Sequence, residues 1–201
     1  MRTIPLSFII YLNVFTGFAQ TADEHFERGK QKEVVYDYQN AILDYTKAIE
    51  ADPKHQDAYR KRAAAKTALN DLQGAIDDFT KLIAINPKDF KALHGRGTLK
   101  AKLSDHNGAI ADHTDAIALN AKYAGAYQAR GESKSTLKDH AGAIADFTKV
   151  IALRPKFSNA YVARGLALIA SGKKDSGCAD LSKATELRNR EAEALTSRHC
   201  K

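Results

Sequence analysis

The sequence predicts an all-α fold built as a stack of helix pairs, and three observations predict it. From Ala22 onward residue types recur with a period of 34. Within each period two apolar stripes run at helical spacing, each too short to bury its own face without neighbours. The composition, rich in alanine and lysine with four prolines, one methionine and no tryptophan in 201 residues, favours helix.

The clearest copy runs from Ala124 to Pro155. Ala126, Tyr127, Gly131 and Leu137 keep to one side of a first helix. Lys138-Asp139-His140 interrupts the pattern, and Ala143, Ile144, Phe147, Val150, Ile151 and Leu153 form the second stripe. It ends at Arg154-Pro155, where proline disfavours helix for itself and for the residue before it. So short a turn makes the two helices antiparallel. Gly131 and Ala143 are small where the backbones are expected to come closest, and Tyr127 and Phe147 fill the space where they diverge.

Taken in order, the chain opens with a segment outside the repeat. Arg2 supplies a positive start, Ile4 to Phe18 is mostly apolar, and Gly17-Phe18-Ala19 is a small-x-small cleavage pattern, so residues 1–19 read as a secretory signal peptide. The run is shorter than the roughly 20 residues of a spanning helix, contains Asn13 and Thr16, and is not followed by a cysteine for lipid attachment. The expectation is an exported protein, periplasmic or secreted, with no membrane span after cleavage. Loss of Arg2 lowers the net charge from +7 to +6.

Five copies follow, at 22–55, 56–89, 90–123, 124–157 and 158–187. Pro53, Pro87 and Pro155 share one register, with Ala121 at the missing step. Gly29, Gly97, Gly131 and Gly165 share another, with Ala63 substituting once. Tyr45, Phe79 and Phe147 form an aromatic series, replaced by His113 and Leu181 at the other two steps. These residues resemble the tetratricopeptide repeat, with departures at His113, Ala121 and Gly177, where alanine is usual. The resemblance covers residues 20–187 and implies a right-handed α-solenoid whose concave wall, made of first helices, grips peptides or partner helices. Residues 188–201 read as a capping helix and tail, in which Ala194, Leu195 and His199 continue the register of a sixth first helix. The ending, from Gly177-Cys178-Ala179-Asp180 to Cys200-Lys201, is also similar to small exported tetratricopeptide proteins of the Bacteroidota.

Arginine stands at the seventh place of every copy (Arg28, Arg62, Arg96, Arg130, Arg164) and aspartate at the twenty-third (Asp44, Asp78, Asp112, Asp146, Asp180). Antiparallel pairing brings these places together, so they read as a structural ion-pair ladder, suited to the planar fork of arginine. By the family's pattern the groove would be lined at places two, five, nine and twelve of the first helices. The candidates are Phe26, Lys30, Arg60, Lys91, His94, Gln128, Glu132, Asn159, Val162, Leu166 and Ile169. The last three form an apolar stripe that is either covered by the capping helix or exposed for docking. Cys178 and Cys200, the only two cysteines, are expected to pair in an oxidising compartment; the alternative is one core cysteine and one free tail thiol.

His94, His106, His113 and His140 lie on different helices or at equivalent places of successive copies, so no metal set is expected, and His113 reads as a core substitute satisfied by one hydrogen bond. No nucleophile stands beside a base and no glycine loop suits a phosphate, so no enzyme activity and no cofactor are expected. Basic residues are intermixed with acids throughout, which argues against nucleic acid and leaves weak contact with anionic envelope components. Two readings of function remain: an interaction scaffold for a protein or peptide partner, or a structural subunit of a cell-envelope assembly using its convex face and ends.

Overall fold

The computed structural model describes residues 21–200; the leader read from residues 1–19 lies outside them. Eleven helices and no strand occur among the described residues. First helices are α1 (Ala22–Val34), α3 (Gln56–Ala68), α5 (Phe90–Lys102), α7 (Ala124–Thr136) and α9 (Ser158–Ala170). Their partners are α2 (Tyr38–Ala51), α4 (Leu72–Ile85), α6 (His106–Leu119), α8 (His140–Leu153) and α10 (Lys174–Glu186), and α11 (Arg190–His199) closes the stack. Each helix packs on the next in sequence, and first helices also touch across repeats, α5 with α7 and α7 with α9. This is a tetratricopeptide-like solenoid.

Short turns are set by local chemistry. Asp37, Asp71, Asp105 and Asp139 accept a hydrogen bond from the backbone N–H three residues on, capping α2, α4, α6 and α8. The residue before each cap is left-handed, at Tyr36, Asn70, Ser104 and Lys138, which turns the chain back within three residues. Leu137, expected in the apolar stripe of α7, is its C-cap and is 45% exposed. The small residue at place eight also has a different reason from the one expected. A Cβ on Gly131 would lie 2.8 Å from a ring carbon of Phe147, so the glycine admits the aromatic ring rather than the backbone at Ala143. Where Leu181 replaces the aromatic, the backbones do close in: a Cβ on Gly177 would stand 2.6 Å from the carbonyl oxygen of Gly165.

The charged series runs through this packing. Arg62, Arg96, Arg130 and Arg164 each hold the aspartate of their own repeat through Nε and Nη2 at 2.6–3.0 Å, and Arg28 holds Asp44 through Nε at 2.7 Å. In the three central repeats a lysine adds a second cation, Lys66, Lys100 and Lys134 lying 2.8–2.9 Å from Asp78, Asp112 and Asp146. The remaining guanidinium nitrogen reaches backward. Nη1 of Arg62, Arg96, Arg130 and Arg164 donates to Thr46, Thr80, Thr114 and Thr148 of the preceding repeat at 3.0–3.3 Å.

At the C-terminal end α11 lies on α10, and Val162, Leu181, Ala184 and Ala192 form a buried cluster joined by Leu166, Ile169, Leu195 and Cys200. Cys178 and Cys200 are disulfide-bonded, 5.7 Å apart at Cα and 22 positions apart in sequence. The bridge ties the last helix to the fifth repeat.

Replacing Asp78 with alanine leaves Arg62 and Lys66, 15% and 18% exposed, facing each other without a carboxylate. The expected loss is about 3 kcal/mol in denaturant unfolding, against under about 1 kcal/mol for Glu27→Ala in the exposed Lys30 pair. Equal losses would remove the ladder's structural role. Reducing the bridge, or Cys200→Ser, should cost up to about 3 kcal/mol and speed amide exchange first in α11.

Candidate partner-binding groove

The expected groove residues do not share one fate. In the first two repeats they are engaged within the chain. Phe26 packs against Tyr45 and His55, with ring centroids 5.8 and 4.8 Å away. Lys30 pairs with Glu27 at 2.9 Å and stands over the Phe26 ring. Glu33 takes a hydrogen bond from the Tyr45 hydroxyl at 2.8 Å and pairs with Lys61 at 3.0 Å. Arg60 reaches forward to Asp89 at 2.6 Å. Burial pushes the Asp89 carboxyl up, but Arg60 and the backbone N–H groups of Ala92 and Lys91 outweigh it and hold the group below its ordinary value. Lys91 is exposed.

The middle of the wall corrects a sequence-based expectation. His94 and His113 lie on different helices, yet their rings meet, centroids 5.1 Å apart and Nδ1 atoms 3.4 Å apart. Tyr123 closes the other side of His94, edge-on at 5.1 Å. His113 is fully buried; its one hydrogen bond is the Nδ1 contact with His94, and its Nε2 has no partner. Two histidines are not a metal set: among the described residues no three His, Cys, Asp or Glu side chains gather around a point. Burial depresses the pKa of His113 to about 4, helped by His94 and Arg130 and opposed by Asp112, and burial lowers that of His94.

Toward the C-terminal end the wall opens. A cavity of about 420 Å³ lies between α7 and α9, lined by Glu132, Ser135, Thr136, His140, Phe147, Ala163, Leu166, Ala167 and Ala170. A second, of about 250 Å³, lies on the other side of Glu132 and includes His94, Gln128, Arg154 and Phe157. Gln128 donates to Glu132 at 2.7 Å. Asn159 accepts from Asn189 at 2.7 Å, which fastens it to the turn before α11. Val162 is only 7% exposed and packs beneath the capping helix, and Ile169 lies against Gly177. Val162 is therefore covered and is not a partner contact, Ile169 is half-buried, and Leu166 lines the cavity. The places missed from the sequence are six, ten and thirteen of the fifth copy, Ala163, Ala167 and Ala170, where an alanine run in α9 was the available signal.

The tetratricopeptide repeat model matches residues 37–55 and 124–157. Among solved structures, the chain is similar to MamA, with a TM-score of 0.79 and 27% identity over 86% of this chain and 94% of that one. MamA of Desulfovibrio magneticus RS-1 gives 0.78 and 17% over 83% and 94%. YrrB, described as a TPR protein with an unusual peptide-binding site, gives 0.76 and 18% over 88% and 92%. No curated protein matches the sequence. In fold the chain is a tetratricopeptide-repeat solenoid, an architecture of protein-interaction scaffolds, and no catalytic family is among these matches.

The histidine pair makes stability depend on pH in a definite direction. The folded pKa of His113 is depressed below the unfolded value near 6.5, so the unfolded chain takes up the proton first and stability falls as pH drops from about 6.5 to about 4. The loss is up to about 3 kcal/mol over that window. His113→Phe, restoring the residue found at Phe79 and Phe147, should flatten the curve in denaturant titrations at pH 7 and pH 4.5. An unchanged slope would show that His113 is not its source.

Proposed function

We propose that the protein is an exported, non-enzymatic scaffold that holds a peptide or helix of a protein partner in the concave groove of its later repeats. The observation that carries this reading is the pair of adjoining cavities on α7 and α9, open where the earlier repeats are closed by their own ion pairs. The peptide-binding site in the description of YrrB lends support by analogy. Export is supported by the leader pattern at residues 1–19 and by the Cys178–Cys200 bridge, a bond that persists in oxidising compartments; periplasm and exterior both fit, as does the likeness of the ending to Bacteroidota proteins. No helix among the described residues is long and apolar enough to cross a membrane. The basic charge suits weak contact with anionic envelope components, not nucleic acid.

One observation favours the second reading, a structural subunit of an envelope assembly. Val34, Val35, Tyr36 and Leu43 of the first repeat are 78%, 68%, 77% and 59% exposed, an apolar surface of the kind that marks contacts.

Photo-crosslinking residues placed singly at Lys91 and Glu132 in the groove, and at Leu43 and Lys149 outside it, separate the two readings in the native cell. Crosslinks to one protein from the groove positions alone are expected. Crosslinks from Leu43 or Lys149 alone would replace the scaffold reading by the structural one.

A further inference from the structure

We infer that the groove at repeats four and five selects a segment in which lysine or arginine adjoins a large apolar side chain. This deepens the groove reading above and rests on it. Glu132 forms the wall common to both cavities. It is exposed, and no cation of the chain lies within ion-pair distance of it among the described residues; its hydrogen-bond partner is Gln128. That bond fixes the Gln128 amide with Nε2 toward Glu132, which leaves Oε1 on the inner side, buried and accepting nothing. An anionic acceptor without a cation and a neutral acceptor without a donor thus stand side by side. Among the carboxylates of the earlier repeats, Glu27 is paired with Lys30, Glu33 with Lys61 and Asp89 with Arg60.

A docked partner strips water from Glu132, and the carboxylate then requires a cation from the partner to avoid a desolvated, unpaired charge. Lysine or arginine supplies it. Arg154 also lines the smaller cavity but forms no ion pair with Glu132, so it leaves that requirement unmet. On the other side of Glu132, Phe147, Ala163, Leu166 and Ala167 give the larger cavity an apolar floor, and about 420 Å³ admits a phenylalanine or leucine side chain. The neighbouring position of the bound segment is therefore apolar. Acidic segments are disfavoured at the same place by repulsion from Glu132.

The test uses the purified protein and fluorescently labelled synthetic nonapeptides with lysine–phenylalanine, glutamate–phenylalanine or lysine–serine at the centre, titrated by anisotropy at low salt. The lysine–phenylalanine peptide is expected to bind best. Glu132→Gln, at an exposed position, should weaken it about fivefold without changing the unfolding midpoint, and Glu132→Lys should reverse the preference toward the glutamate peptide. Ala170→Phe, which fills the larger cavity from an exposed position, should remove the advantage of phenylalanine over serine. Binding that Ala170→Phe blocks but that ignores the charge of the peptide and of residue 132 overturns the present inference and leaves the groove reading standing. Failure of all three peptides to bind, or binding indifferent to every groove variant, overturns both.

Discussion

A buried carboxylate needs a cation, and the way this chain meets that need fixes how its repeats stack. Each aspartate of the series is 8% exposed or less, and each is held by the arginine of its own first helix, so the charge that the second helix carries inward locks the pair together. A planar guanidinium has more donors than one carboxylate uses. The spare Nη1 reaches a threonine of the preceding repeat in four of the five copies. One side chain thereby sets the spacing inside a repeat and the angle between repeats, and lysine would supply the charge without that geometry. In the first copy Nη2 of Arg28 also meets the His25 ring, at 2.8 Å.

A stack held by neighbour contacts is weakest at its ends. The C-terminal end is closed by an amphipathic helix of ten residues, too short to be stable in isolation. It is kept in place by the cluster around Val162 and Leu181, by the Asn189 contacts to Ser158 and Asn159, and by the disulfide. The two ends differ: the first repeat leaves Val34, Val35 and Tyr36 in solvent. The same covering that secures α9 removes Val162 from the concave surface and thereby moves the open part of the groove back to the junction of repeats four and five.

The periodicity made the helix pairs legible because a 34-residue repeat reports on places, and places determine which backbone segments meet. It carried the arginine and aspartate series equally well. It was less informative wherever a side chain's direction decides the outcome. Lys66, Lys100 and Lys134 recur at the same period and were legible in principle, yet their part in the ladder follows from their standing one turn beyond the arginine on the same face. The meeting of His94 with His113 could not be inferred from register, since the two belong to helices whose relative rotation only packing sets. A small residue such as Gly131 at a helix crossing implies a backbone contact; the Phe147 ring occupies the space instead. Arg60, Asn159 and Val162 are engaged within the chain by groups that the place of each in its helix does not reveal, respectively Asp89 at the end of the same repeat, the turn at Asn189 and the capping helix.

The division of the concave wall follows from this same competition for partners. In the early repeats long charged side chains meet across the groove, and every pair formed there fills volume as well as cancelling charge. Lys61 at place six extends over the first junction to Glu33. At the fourth junction the same place is Ala163, which neither reaches across nor fills the gap, and the cavity beside Glu132 is the result. The alanine leaves an apolar pocket beside Glu132, a carboxylate that stands at place nine, where the first copy has Lys30. The first junction is closed by the Lys61–Glu33 pair, and the fourth is left open. The repeat framework permits both because neither residue takes part in the arginine and aspartate ladder that holds the helices in register.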